Sequence, residues 1–119
     1  MKKRYKVLGA AFVMTATITI PVFAGTWVQD LARPANQGGI SNWWYRNDDG
    51  SYPTNGWLQI NNQWYCFDSV GYMRTGWVQA GDGNYYYCDL TNGNMVTNTW
   101  TPDGYYVNES GIWVKGKTR

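Results

Sequence analysis

The stretch GWLQINNQWYCFDSVGYMRTGW, residues 56–77, sets the pattern for the chain after its first two dozen residues. It begins and ends on Gly-Trp, and between them lie the turn-forming Asn61-Asn62, an aromatic run at 64–67 and Gly71. The same order of residues recurs on both sides of this stretch. A unit of about 20 residues is too small to bury an apolar face alone, so units in tandem indicate a solenoid.

Four units follow the first 24 residues, with bounds near 26–56, 57–76, 77–99 and 100–115. Each unit has two β-prone runs separated by a turn cluster, as at 81–83, which is the pattern of a β-hairpin. A second turn, as at 92–93, leads to the next unit, and no window shows a sustained helical period. The sequence therefore predicts an all-β fold, a β-hairpin solenoid of about four tandem repeats of ~20 residues.

The first 24 residues have the pattern of a secretory signal peptide. A basic region at 2–6 precedes an apolar run from Val7 to Ile20, and 22–24 is a small-residue cleavage site. The apolar run is too short for a transmembrane helix, and no second apolar stretch or sorting tail follows it. We therefore expect residues 1–24 to be a signal peptide, residues 25–119 to be the exported domain, and no membrane anchor to remain after cleavage.

Removal of that segment changes the sign of the net charge. Residues 25–119 carry six basic and eight acidic side chains, a net charge of −2, whereas the whole chain carries +2. Too little positive charge remains to hold a nucleic acid, so no nucleic-acid partner is expected. A mildly acidic surface instead tolerates a cationic ligand.

Aromatic residues are more numerous than a small core requires. All eight Trp and nine of the ten Tyr follow residue 24, while aliphatic residues are sparse. Strand alternation predicts that Tyr65 faces inward while Trp64 and Cys66 face outward. In the third unit it predicts that Tyr85 and Tyr87 face outward. The outward rings form a surplus that is better explained by ligand binding than by packing.

The repeat resembles a known family. The order GW-x-Q, then WYxF-D, then G-x-M-x-T-GW is similar to the choline-binding (cell-wall-binding) repeat of exported Gram-positive cell-wall hydrolases and surface proteins. The segments WYRNDDGSYP at 44–53 and WYCFDSVGYM at 64–73 are especially like repeats in autolysin tails. The resemblance covers Thr26 to Lys115. It implies a left-handed solenoid of β-hairpins, with an aromatic cage between consecutive hairpins for the quaternary ammonium of choline on teichoic acids.

Matched position by position, the family pattern implies three ligand cages. The cage between units two and three comprises Trp57, Trp64, Trp77, Tyr87 and Met73. The cage between units three and four comprises Trp77, Tyr85, Trp100, Tyr106 and Met95. The first cage would use Trp27, Trp43 and Trp57, but it departs from the family pattern. There Cys66 stands at the position of the closing aromatic, and Tyr52 replaces the methionine.

The chemistry of such a cage suits this ligand. A trimethylammonium group has no N–H, so hydrogen bonds cannot select it. Ring faces supply cation–π attraction and apolar contact with the methyl groups, about 0.5–2 kcal/mol for each good contact. One site would bind choline weakly, and several linked sites on a polymer would bind with avidity.

The inventory of catalytic groups is thin. The chain has no His, which excludes Ser-His-Asp and Cys-His arrangements. Its acidic residues are scattered in turns, where Asp is a common turn residue, so paired-carboxylate chemistry has no convincing candidate. Two Cys without His cannot close a zinc site, and no cofactor or metal is expected. We interpret the protein as a binding protein and not as an enzyme.

The two cysteines leave two alternatives open. Cys66 and Cys88 lie in a chain expected to be exported, where a disulfide is compatible with the environment. A bridge needs Cα atoms within about 7 Å, which the sequence does not reveal. A disulfide and two unpaired thiols are both consistent with the sequence.

We therefore expect a secreted, non-catalytic module of the cell wall or cell surface that binds choline-bearing teichoic acid or another cell-wall polymer. The alternative is that the same rings bind carbohydrate, a glucan or a glycan. Sugars need hydrogen-bonding groups beside the rings, and Asn61, Gln63, Gln79 and Asn84 are available. The last unit, around Trp113, has no evident polar cap, which predicts end-to-end homodimerisation.

Overall fold

We describe residues 25–119 from a computed structural model of the chain. The predicted signal peptide, residues 1–24, lies outside the described residues. The strands are β1 (Gly25–Gln29), β2 (Asn36–Gln37), β3 (Ile40–Asn47), β4 (Gly56–Ile60), β5 (Gln63–Phe67), β6 (Tyr72–Arg74), β7 (Gly76–Gln79), β8 (Tyr85–Cys88), β9 (Thr99–Trp100) and β10 (Tyr106–Val107). This part of the chain contains no helix, and hence none that could cross a membrane. The predicted all-β class is confirmed.

Four antiparallel hairpins follow one another along the chain: β1 with β3, β4 with β5, β7 with β8, and β9 with β10. The 31–39 insertion between β1 and β3 carries the short strand β2, which pairs with β3. In the β4–β5 hairpin, Asn61 and Asn62 both have positive φ, 52° and 66°. A two-residue turn of this kind matches the twist of the flanking strands, and Asn tolerates its left-handed conformation.

Short connecting segments link each hairpin to the one before it. Strand β6 pairs with β5 of its own hairpin and with β3 of the preceding hairpin. Met95 pairs with β8, and its N–H donates to the Trp64 carbonyl on β5 at 2.8 Å. Trp113 pairs with β10, and its N–H donates to the Tyr85 carbonyl on β8 at 2.9 Å. These repeated links make the hairpins a continuous stack, as predicted.

A buried glycine precedes each connecting segment, and each has a positive φ. They are Gly71, Gly93 and Gly111, with φ of 113°, 80° and 86°. Each lies against a large side chain of the preceding unit, so that a Cβ on Gly93 would overlap the Met73 thioether and one on Gly111 would lie 2.9 Å from Met95. Glycine is thus needed here both for its conformation and for close stacking.

The first strand of a hairpin presents a Trp opposite a Tyr of the second strand in three of the four hairpins. The pairs Trp27–Tyr45, Trp77–Tyr87 and Trp100–Tyr106 have ring centroids 5.1, 5.0 and 5.1 Å apart in edge-to-face geometry. In the second hairpin Trp57 lies opposite Cys66 instead. Because Cys66 offers no ring for a cross-strand contact, Trp57 packs edge-to-face on Tyr86 of the next unit, with centroids 5.5 Å apart.

The core consists of two apolar clusters between successive hairpins. One contains Trp57, Cys66, Val78, Tyr86, Cys88 and Met95, and the other contains Tyr45, Ile60, Phe67 and Met73. The expected outward orientation is wrong for Cys66 and Tyr87, which are both buried. In a stack of hairpins, the face that points out of one hairpin is covered by the next hairpin or by the cross-strand Trp.

Candidate functional site

Four rings from units three and four form an aromatic cluster at the end of the stack: Trp77, Tyr85, Tyr105 and Trp113. Ring centroids are 5.9 Å apart for Trp77 and Tyr105, and 6.5 Å apart for Trp77 and Trp113. The Trp113 centroid is 6.1 Å from that of Tyr105 and 6.0 Å from that of Tyr85. All four pairs meet edge to face, so the cluster presents ring faces in several directions.

Backbone pairing fixes each ring in this aromatic cluster. Trp77 lies on β7, where the buried Tyr87 ring supports it from the opposite strand. The Trp113 N–H donates to the carbonyl of Tyr85, which brings these two rings together from different hairpins. Tyr105 follows the β9–β10 turn, and its N–H donates to the Thr101 hydroxyl at 3.0 Å.

The cluster is open to solvent and has the dimensions of a cation site. Trp77, Tyr105 and Trp113 place their centroids at the corners of a nearly equilateral triangle, with sides of 5.9, 6.5 and 6.1 Å. A cation on the axis of such a triangle lies within about 6 Å of all three centroids at any height up to ~5 Å, the range over which cation–π attraction operates. Tyr105 is 46% exposed and Tyr85 is 39% exposed, so a ligand can reach the rings.

One carboxylate lies beside these rings. The Trp77 indole Nε1–H donates to Asp103 at 2.9 Å, and the Thr101 hydroxyl donates to the other carboxylate oxygen at 2.5 Å. Burial acts to raise the pKa of Asp103, but the hydrogen bonds from Thr101 and Trp77 outweigh it, and the pKa lies below its usual value. Asp103 is therefore ionised at neutral pH and supplies a negative charge at the edge of the cluster.

The residues predicted for the cage between units two and three lie in three places. Trp57 belongs to one core cluster, with Trp64 packed against it. Trp77 and Tyr87 form the cross-strand pair that supports the aromatic cluster. Met73 lies in the other core cluster, against Gly93. Their assignment as ligand-binding residues stays a prediction.

The other predicted cage residues are also divided. Trp77 and Tyr85 both contact Trp113, whereas Trp100 and Tyr106 form a separate pair. Met95 is a core residue stacked on Gly111. Trp27 and Trp43 pack against the core cluster that contains Tyr45, and Trp27 also meets Tyr65, with centroids 4.9 Å apart.

Sequence reasoning missed Tyr105, Trp113 and Asp103 as members of the site. Trp113 stands two residues after the turn glycine Gly111, as Met95 does after Gly93, and this spacing was a usable signal. Tyr105 directly precedes the ring that pairs with Trp100, as the buried Tyr86 does for Trp77, so its position in the repeat gives no signal for an exposed ring. No feature of the sequence indicated that Asp103 would reach Trp77.

Both cysteines are free thiols in the structure, and both are buried in the same core cluster. Burial raises the pKa of the Cys66 thiol to about 12. The pKa of Cys88 is also well above its usual value, first because of burial and then because of the nearby Cys66. Neither thiol is activated for nucleophilic chemistry at neutral pH.

A protein-family model and several solved structures are similar to this chain, and they concern the same type of repeat. A family model described as a choline-binding repeat matches residues 54–100. No curated protein sequence matches the chain. Among solved structures, the choline-binding domain of Spr1274 from Streptococcus pneumoniae is 40% identical, with a TM-score of 0.56, over 75% of this chain and 93% of that domain.

Two larger proteins are also similar. The cell wall endolysin of the pneumococcal phage Cp-1, solved in complex with choline, is 37% identical over 81% of this chain and 26% of its own, with a TM-score of 0.63. Choline binding protein F from Streptococcus pneumoniae is 34% identical over 81% of this chain and 30% of its own, with a TM-score of 0.61. The chain thus spans less than a third of the length of either protein.

Proposed function

Because this chain belongs to the choline-binding repeat family, we propose that it binds the quaternary ammonium group of choline on a cell-wall polymer. The aromatic cluster is the proposed site. The family is a non-catalytic binding module, and the chain would act by attachment and not by chemistry. The proposed polymer is a choline-bearing teichoic acid, and the proposed location is the cell wall or cell surface of the exporting cell.

The observation that carries this proposal is the open triangle of Trp77, Tyr105 and Trp113 centroids beside the Asp103 carboxylate. A trimethylammonium seated over the triangle would lie within cation–π distance of all three rings while its charge remains partly hydrated. Three such contacts at about 0.5–2 kcal/mol each supply roughly 1.5–6 kcal/mol before the entropic cost of association, which leaves a Kd of about 1 mM or weaker. Free choline should therefore bind weakly, and a polymer that presents many cholines should bind far more tightly.

Carbohydrate is the second candidate ligand. Gln79 lies directly opposite Tyr85 in the β7–β8 pair, so an amide stands beside an exposed ring, as sugar binding requires. Choline binding protein F and the phage endolysin have also been solved with a peptidoglycan analogue. A sugar would stack on the rings irrespective of charge, which gives a clear test.

The test is a titration of the chain with choline and with the uncharged carbon isostere of choline, followed by Trp fluorescence. We expect a saturable response to choline in the millimolar range and a much weaker response to the isostere. Trp113→Ala should weaken binding about 5–30-fold, because it removes the contact with a half-buried Trp ring, the strongest type of aromatic partner for a cation, worth ~1–2 kcal/mol. Tyr105→Ala should weaken binding about 2–5-fold through the loss of ~0.5–1 kcal/mol.

Leu31→Ala is the control, since Leu31 is an apolar side chain that is 81% exposed and lies outside the aromatic cluster, whereas Tyr105 is 46% exposed within it. The control should bind choline like the wild-type chain. Equal binding of choline and its isostere would count against the cation mechanism. Binding of a cell-wall glycan that choline does not displace would favour the carbohydrate alternative.

A further inference from the structure

Three cations of the segment after Trp113 lie over aromatic rings. We define the basic tail as residues 115–119. The Lys115 Nζ lies 5.8 Å from the Trp113 centroid, the Lys117 Nζ lies 3.9 Å from the Tyr106 centroid, and the Arg119 guanidinium carbon lies 5.2 Å from the Trp100 centroid. All three distances are within the range of cation–π attraction. The Lys117 contact is close enough for the ammonium to sit on the ring face.

The pair beneath Lys117 and Arg119 is a rigid platform. Trp100 and Tyr106 meet edge to face, with centroids 5.1 Å apart, and both rings are half-buried. The Tyr106 hydroxyl donates to the Asn98 side-chain oxygen at 2.6 Å, which fixes the orientation of that ring. The platform is the counterpart, in unit four, of the Trp77–Tyr87 pair that supports the aromatic cluster.

Two backbone hydrogen bonds place the basic tail over this platform. The Val114 N–H donates to the Tyr106 carbonyl at 2.9 Å, and the Lys117 N–H returns to the Val114 carbonyl at 3.4 Å. Between them Gly116 has a φ of 83°, which closes a tight turn. The three cations alternate with residues of other types, and together they span Trp113, Tyr106 and Trp100.

Charge also favours this placement. The basic tail holds three of the six basic side chains of residues 25–119, while residues 25–114 hold all eight acidic ones. A cationic segment joined to an acidic body is attracted to it, and a short connection raises its effective concentration at a nearby site to the millimolar range or above.

We propose that Trp100 and Tyr106 form a second cation-binding site whose resident ligand is the chain's own basic tail. The tail competes there with external cations, so that a trimethylammonium binds the platform only when Lys117 and Arg119 leave it. The competition with choline rests on the function proposed above, whereas the occupancy by the tail does not.

Occupancy is tested without any ligand, by NMR of the full chain. A Lys117 ammonium on the Tyr106 face places its side-chain methylene protons in the ring current, so their resonances should lie upfield of those of an ordinary lysine. Tyr106→Leu should abolish that shift. Gly116→Ala should reduce it while keeping every charge, because Ala disfavours the positive φ of the turn. A Lys117 resonance at its ordinary position in the wild-type chain would overturn the inference.

Competition is tested by titrating choline while the indole resonance of Trp100 is followed. In Lys117→Gln/Arg119→Gln the apparent affinity at Trp100 should rise about 2-fold or more, the factor expected when a tethered competitor whose effective concentration is at least equal to its own Kd is removed. Arg46→Gln is the control, because it removes an exposed cation that lies outside the basic tail and should leave the affinity at Trp100 unchanged.

The outcomes separate the two proposals. If choline binds the aromatic cluster in both variants but Trp100 responds equally in each, competition by the basic tail is overturned. If choline binds neither variant while the wild-type chain shows the Lys117 upfield shift, the proposed function fails and the resident tail stands. A stronger response at Trp100 in Lys117→Gln/Arg119→Gln alone supports both.

Discussion

The stacking of Gly93 on Met73 gives the sharpest prediction about the fold. In Gly93→Ala the new methyl group would overlap the Met73 thioether, and the backbone would keep its φ of 80°. Gly83→Ala is the matched control, since Gly83 has a φ of 86° in the same unit but nothing within 4 Å of its would-be Cβ. The two variants therefore share the conformational penalty and differ only in the collision.

The magnitudes follow from these two contributions. A left-handed conformation costs a non-glycine residue about 1–2 kcal/mol. Forcing an extra methyl group into a packed core costs about 1–3 kcal/mol more. We expect the free energy of unfolding to fall by roughly 2–5 kcal/mol in Gly93→Ala and by roughly 1–2 kcal/mol in Gly83→Ala.

The assay is equilibrium unfolding in urea, followed by Trp fluorescence and circular dichroism. A double-mutant cycle with Met73→Ala isolates the collision, because Gly93→Ala should cost no more than Gly83→Ala once the thioether is gone. If Gly93→Ala and Gly83→Ala destabilise the wild-type chain equally, close stacking of units through Met and Gly is refuted.

Three further predictions concern individual side chains. Cys66 and Cys88 should resist a thiol reagent at pH 8 in the native chain, because burial raises the pKa of both thiols, and both should react in denaturant; a chain with no reactive thiol in denaturant would instead contain a disulfide. The free energy of unfolding should be constant down to about pH 4 and decrease below it, since the pKa values of Asp82 and Asp103 are lower in the folded chain than those of an ordinary Asp. Burial acts to raise these two pKa values, but hydrogen bonds to the carboxylates outweigh it. The stabilisation is therefore present above the pKa of unfolded Asp and is lost as the pH falls through the pKa of the folded state. Thermal melts from pH 7 to pH 2 test this, and a melting temperature that stays constant over the whole range would contradict it. Asp103→Asn should weaken choline binding about 2–5-fold at low salt and less at high salt, because it removes a partly screened counter-charge worth ~0.5–1 kcal/mol, and an unchanged Kd at low salt would show that the carboxylate takes no part.

The hairpin architecture could be predicted because its determinants are local. The Asn61-Asn62 turn, the recurring turn glycines and the period-two alternation each act over a few residues. The inward positions of Phe67 and Tyr86 also followed from alternation, and both rings are buried.

The grouping of rings between hairpins could not be predicted, because it depends on how one hairpin rotates on the next. Because Cys66 lies opposite Trp57, Trp57 has no cross-strand ring and is buried in the core beside Tyr86. Trp113 stands at the position that Met95 occupies in the preceding unit, and its ring makes the end of the stack an aromatic cluster. The spacing gives the position of Trp113 in its unit, but it reveals neither the rings that Trp113 meets nor the burial of Trp57 in the core.

The position of the basic tail lay equally beyond sequence reasoning. A run of five residues with three cations gives no signal for a packed position, and the end around Trp113 was expected to be uncapped. In the structure, Lys117 and Arg119 lie over Tyr106 and Trp100. End-to-end dimerisation stays a prediction, and the tail would have to leave this face for the ends of two stacks to meet there.

The most direct test of the proposed site is an intermolecular nuclear Overhauser measurement between the N-methyl protons of choline and the aromatic protons of the chain. We predict contacts to the rings of Trp77, Tyr105 and Trp113, because these three centroids surround the proposed cation position. Contacts confined to Trp57 and Trp64, or no contacts at saturating choline, would contradict the assignment of the cation site to the aromatic cluster.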